Sequence, residues 1–136
     1  MMVKRSALLL ALMASLIVTA CGKKDSGPTE PQAPPPPTFS ISTVNVTLAD
    51  GSDGIQFFAK PDKDVRLVRV EVTDPLGNKQ TVNVGGQIFV KDQVIALQPQ
   101  GTAYVKVSGT WKFLFVGNVE PNGENFNVTQ TVNVSA

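Results

Sequence analysis

From Phe39 onward the apolar residues recur at every second position. Phe126, Val128, Val132 and Val134 alternate with Asn127, Thr129, Thr131 and Asn133, and Gln130 is the one polar residue on the apolar side. Trp111, Phe113 and Phe115 share a parity in the preceding run. Val68, Val70 and Val72 alternate with Arg69, Glu71 and Thr73, and Ala103, Val105 and Val107 alternate with Tyr104 and Lys106. A period of two belongs to strands with one face buried, and the β-branched residues that fill these runs suit a pleated surface. No long helical pattern competes with them.

Turn chemistry separates the runs. Pro61, Pro75, Pro99 and Pro121 fall between them, where a missing ladder donor does no harm. DGSDG (50–54), PDKD (61–64), DPLGN (74–78), QPQG (98–101) and EPNGEN (120–125) are turn or loop sequences. Short strands at such spacing predict an all-β sandwich or barrel. The first run changes parity: Phe39 and Ile41 sit on one, Val44, Val46 and Leu48 on the other. Because a one-residue slip turns every side chain over, this predicts a β-bulge near Ser42–Thr43. Parity also puts Trp111 in the core beside Phe113 and Phe115. It makes Tyr104 an exposed aromatic and leaves Lys112-Leu114-Val116 a partly polar face, either covered by a neighbour or open as a contact patch.

The first forty residues have a different character. Lys4 and Arg5 precede an apolar run from Ala7 to Ala20, broken only by Ser15 and Thr19. This run is shorter than the roughly 20 residues a membrane-spanning helix needs, and with its basic start it has the form of a signal peptide over 1–20. At its end, Val18-Thr19-Ala20-Cys21 resembles the lipobox of bacterial lipoproteins. The resemblance implies that Cys21 is lipidated and becomes the first mature residue. Cys21 is the one cysteine of the chain, so lipidation leaves no thiol for a disulfide or a nucleophile. Gly22 follows where an aspartate would favour inner-membrane retention, so the resemblance implies an outer-membrane address. Lys23-Lys24-Asp25 does not decide between its periplasmic and surface faces.

Residues 21–38 predict a lipidated cysteine followed by a disordered linker: GKKDSGPTEPQAPPPPT holds six prolines and no large apolar side chain. Pro34–Pro37 favour polyproline II, and the stretch would span roughly 50 Å at about 3.1 Å per residue. A stand-off spacer and a proline-rich ligand fit this composition equally.

Residues 39–136 contain all seven phenylalanines, Trp111 and Tyr104, enough core for one small domain. Their eight Lys/Arg and nine Asp/Glu nearly cancel, which gives no basic surface for nucleic acid. Two stretches resemble bacterial immunoglobulin-like domains. GIQFFAKPDKDVRLVRVEVTDPLGNKQTV (54–82) is similar to their B and C strands. SGTWKFLFVGNVEPNGENFNVTQTVNV (108–134) is similar to the closing F–G hairpin, with Trp111 at the usual tyrosine position and Phe113 at that of the antibody-domain cysteine. The resemblance implies a single immunoglobulin-like β-sandwich of about seven to eight antiparallel strands over 39–136. The disulfide and the strand-C tryptophan of antibody domains have no counterpart here.

Catalytic equipment is sparse. The chain has no histidine, hence no Ser-His-Asp or Cys-His arrangement, and no nucleotide-binding glycine pattern. The carboxylates sit in turns or on polar strand faces, so the expectation is a non-enzymatic protein without a cofactor. Asp50 and Asp53 in DGSDG are weak Ca²⁺ candidates, and Asp62 and Asp64 in PDKD could offer oxygen ligands likewise, although neither loop carries the closing glutamate of an EF-hand. Asn45, Asn127 and Asn133 match the N-glycosylation pattern and are read as polar strand faces. If loops 61–64 and 117–125 share one end of a sandwich, Asp62, Asp64, Asn118, Glu120, Asn122 and Glu124 form an acidic apex suited to a cationic partner. The expected function is a binding or scaffolding module on a lipid-anchored envelope lipoprotein, with the membrane held through Cys21 and a protein or glycan as partner. The alternative is a carbohydrate-binding or adhesion module at the cell surface.

Overall fold

Eight strands carry the chain in a computed structural model that describes residues 34–136. The expected signal peptide, Cys21 and most of the proline-rich segment lie outside the described residues. The strands are β1 (Phe39–Thr47), β2 (Asp53–Pro61), β3 (Val65–Thr73), β4 (Lys79–Phe89), β5 (Ile95–Ala96), β6 (Tyr104–Val105), β7 (Gly109–Val119) and β8 (Asn125–Val134). One sheet has the order β1-β2-β5, with β6 also paired to β2; the other is β4-β3-β7-β8. Every pairing is antiparallel. The domain is a β-sandwich.

The core lies between the sheets and is largely aromatic. Phe57 at its centre meets Trp111 and Phe113 at centroid distances of 4.8 Å each, and Tyr104 packs 5.5 Å from Trp111. Phe39 stacks on Phe115 at 3.9 Å and tilts against Phe126. Trp111, Phe113 and Phe115 are buried on one face of β7, as their parity predicts. Their large apolar areas leave water together, which is the main stabilising contribution of such a domain.

The bulge is in a different strand from the one expected. β1 pairs with β2 without interruption from Phe39↔Pro61 to Thr47↔Asp53. Its second half leaves Val44 on the outer face, 46% exposed. β1 is an edge strand, and nothing requires its second half to turn inward. In β3 the register shifts between Leu67 and Arg69 against both neighbours. Val65 and Leu67 point inward before the shift and Val70 and Val72 after it, while Val68 is 40% exposed. The sequence-based grouping of Val68 with Val70 and Val72 is thereby corrected. A central strand with apolar residues on both parities buries both sets only by adding a residue between them.

Tyr104 is also corrected. It is buried rather than exposed, and its hydroxyl donates to the Leu97 carbonyl at 2.6 Å. Its neighbour Val105 is 61% exposed instead. β6 has only two residues, so one side chain must face in. The tyrosine hides more apolar area and its hydroxyl finds a carbonyl inside. Burial pushes the phenol pKa up to about 12.

The proline-rich segment does not stay solvated to its end. Pro37 is fully buried, the Thr38 amide donates to Asp62 Oδ1 at 2.8 Å, and the Asp62 amide donates back to the Thr38 carbonyl at 3.0 Å.

The third strand of the smaller sheet is interrupted: β5 and β6 both pair with β2, and residues 97–103 loop out between them. Leu97 donates its amide to the Phe57 carbonyl, and the Gln98 side chain replaces the missing strand by accepting from the Phe57 amide at 2.9 Å. Gln98 is the one buried polar side chain among the described residues, at 5% exposure. Gln98→Ala should therefore strand a buried N–H and lower stability by about 1–3 kcal/mol. Urea unfolding checks this; an unchanged midpoint would mean that water replaces the amide.

Candidate functional site

Three connections meet at one end of the sandwich. They are Asp62–Asp64 between β2 and β3, 90–94 between β4 and β5, and the β7–β8 turn at Glu120–Glu124. β7 continues through Val119 and β8 starts at Asn125, so the expected loop 117–125 is a tight turn between long strands. The two loops placed together from sequence do meet: the Glu120 amide donates to the Asp64 carbonyl at 3.0 Å.

Three acids of this apex, Asp62, Asp64 and Glu120, are occupied in holding the loops. Asp62 Oδ1 fixes the Thr38 amide, and Asp64 Oδ1 accepts from the Lys91 amide at 2.8 Å. Glu120 accepts from Arg66 Nε at 2.9 Å in an ion pair that is partly exposed, worth at most about 1 kcal/mol. Asn118 is a strand residue whose Nδ2 donates to the Gly123 carbonyl at 3.3 Å and to Asn125 Oδ1. Lys63 Nζ donates to the Pro35 carbonyl at 2.8 Å, so the chain enters the sandwich at this apex. Asn122 and Glu124 are exposed turn residues. Arg66 and Lys91 join the group, a neighbourhood invisible from loops 61–64 and 117–125 alone, and they offset part of its negative charge.

Asp50 and Asp53 sit at the other end of β2, well apart from the apex. Asp50 Oδ1 accepts from the Ser52 hydroxyl at 2.6 Å and the Ser52 amide at 2.9 Å, and the Ser52 hydroxyl is the chief cause holding its carboxyl below the usual value. Asp53 is an exposed strand residue. Among the described residues, no three His, Cys, Asp or Glu side chains cluster where they could hold a metal ion.

Two concavities lie elsewhere, along the side where β4 faces the interrupted strand. One cleft, of about 610 Å³, opens toward the β3–β4 turn and is walled by Val72, Leu76, Tyr104, Val105, Val107 and Trp111. Asp74 lies on its rim, locked in its own turn by the Leu76 and Asn78 amides at 2.9 Å each. The Asn78 side chain, at 2.9 Å, is the foremost cause of its lowered pKa. Trp111 offers this cleft no free polar atom, because its Nε1 donates to the Val107 carbonyl at 2.9 Å. The second cleft, of about 510 Å³, lies between β4 and β5, with Gln56, Phe58, Asn83, Gln87, Gln98 and Gln100 among its lining. Pro99 and Thr102 border both clefts. These volumes fall in the roughly 300–1,000 Å³ range of ligand-binding clefts.

Sequence reasoning missed the amide-lined cleft because its residues come from three separate segments and share no motif. One signal was available: Phe57 and Phe58 are adjacent, and in a strand one of them must face outward. No protein-family model matches the chain, and neither does any curated protein or solved structure.

Proposed function

We propose that the chain is a lipid-anchored lipoprotein of a bacterial cell envelope whose immunoglobulin-like sandwich serves as a non-catalytic binding or scaffolding module. The observation that carries this reading is Val18-Thr19-Ala20-Cys21 at the end of a short apolar run, followed by a proline-rich stretch leading into a single sandwich. One diacylated and N-acylated cysteine supplies three chains, more than the two signals that stable anchoring takes. Gly22 supports an outer-membrane address. The order β4-β3-β7-β8 opposite β1-β2-β5 supports the immunoglobulin-like reading, since it joins the C-like and F-like segments as neighbours. A role in binding is supported by the two clefts along one side of the sandwich.

Cells fed an alkyne fatty acid should label the wild-type protein and leave Cys21→Ser unlabelled and uncleaved, because the acceptor thiol is gone. Equal label on both proteins would remove the lipoprotein reading. Cross-linking the wild-type chain in intact envelopes should capture a macromolecular partner in yields that survive washing at high salt; capture of nothing would remove the binding module.

A further inference from the structure

We propose that the cleft between β4 and the β5–β6 connection binds a neutral oligosaccharide. This deepens the binding-module reading and rests on it. The cleft exists because the two sheets end unequally. β4 runs eleven residues along the edge of one sheet, whereas the facing edge of the other consists of two two-residue strands with a loop between them.

The ligand class follows from the lining. It contains no Asp, Glu, Lys or Arg, although such residues are spread over the rest of the domain. A charged ligand would lose hydration there and gain no opposite charge. Five amide residues line it instead, Gln56, Asn83, Gln87, Gln98 and Gln100, of which Gln56 already donates from Nε2 to the Thr102 carbonyl at 2.9 Å. An amide offers two N–H donors and one carbonyl acceptor, matching hydroxyl groups that both donate and accept. Gln98 is fixed too. Its Oε1 is held by the Phe57 amide, so its Nε2 is the atom left over, and that nitrogen bonds no other described residue. No buried side-chain nitrogen or oxygen among the described residues lacks a partner, so this nitrogen is a donor open to solvent on the wall of the cleft. Asn83, Gln87 and Gln100 are exposed and free to turn toward a ligand.

Phe58 supplies the apolar surface. It points to the outer face of β2, and its cross-strand neighbours are the small residues Ser42 and Ala96. A half-buried ring between small side chains presents carbon to the C–H face of a sugar ring. An extended peptide is disfavoured on this side of β2, because the Phe57 amide and carbonyl are already bonded to Gln98 and Leu97.

The test is calorimetric titration of the full chain in detergent with cellohexaose, maltohexaose and chitohexaose, with oligogalacturonate as a charged comparison. At least one neutral hexasaccharide should bind saturably. Gln87→Ala with Gln100→Ala should weaken it at least tenfold at an unchanged melting temperature, since both side chains are exposed. Phe58→Ala should also weaken it, and Glu124→Ala at the apex should not. The proposal is overturned if no neutral probe binds, if only oligogalacturonate binds, or if the double amide variant binds as wild type. A protein captured in envelopes without any glycan binding would overturn this site while leaving the binding module standing; failure of both would remove both.

Discussion

Trp111→Ala should lower the free energy of unfolding by about 3–5 kcal/mol, the usual range for deleting a buried aromatic ring. The indole is 2% exposed, packs 4.8 Å from Phe57 and 5.5 Å from Tyr104, and donates to the Val107 carbonyl. Removing it opens a cavity in the middle of the aromatic cluster and strips one carbonyl of its partner. Neighbouring strands are fixed by their ladders on both sides of β7 and cannot collapse into the gap. Against a total of roughly 5–15 kcal/mol for a domain of this size, the loss brings the protein near its unfolding threshold. Because Trp111 is the one tryptophan, the urea melts should be followed by circular dichroism rather than fluorescence. A cost below about 1 kcal/mol would place the ring outside the core.

Gly117→Ala should be comparably damaging for an opposite reason. Gly117 lies on β7 across from Leu67, beside the β3 bulge. An added Cβ would overlap the Arg66 carbonyl oxygen and stand 3.1 Å from both Leu67 Cα and Phe126 Cζ. Two of these three obstacles are backbone of a central strand, which cannot rotate away as a side-chain tip would. Overpacking of this kind costs about 1–3 kcal/mol, and more when the backbone must shift. Gly51→Ala makes the comparison: its φ is +85° but its Cβ would meet open space, so it should show only the conformational cost of about 1–2 kcal/mol. If Gly117→Ala melts like wild type, β3 and β7 are not in the close contact described.

The bulge explains why Gly117 was not singled out from sequence. Reading β3 alone, Val68 belongs with Val70 and Val72, and the parity of Val65 and Leu67 is unaccounted for. Only with β4 and β7 pressing from both sides must both apolar sets face inward, and then one residue is extruded and the opposite strand must lose its side chain. The β1 parity change has the same appearance in sequence and the opposite outcome, because β1 has a partner on one side only. Tyr104 failed similarly: alternation over a run as short as Ala103–Val107 does not say which parity is inward.

By itself the sequence determined the class of fold. Alternation, β-branched runs and turn residues at regular spacing leave an all-β sandwich or barrel as the way to bury so many apolar side chains from short strands, and the resemblance to immunoglobulin-like domains implied the sandwich. The sequence also determined the aromatic face of β7, because side-chain period is a local property, whereas the meeting of loops 61–64 and 117–125 was implied only by the resemblance to immunoglobulin-like domains. Tertiary structure decided what depends on neighbours. It chose β3 over β1 for the bulge, put Tyr104 inside, and tied Asp62 and Asp64 at the apex to backbone amides of other segments. It also drew Gln56, Asn83, Gln87, Gln98 and Gln100 to one cleft. Those five amides lie on three separate segments, and nothing local marks them as a group; they line one cleft because an interrupted strand leaves the two sheets open along one side.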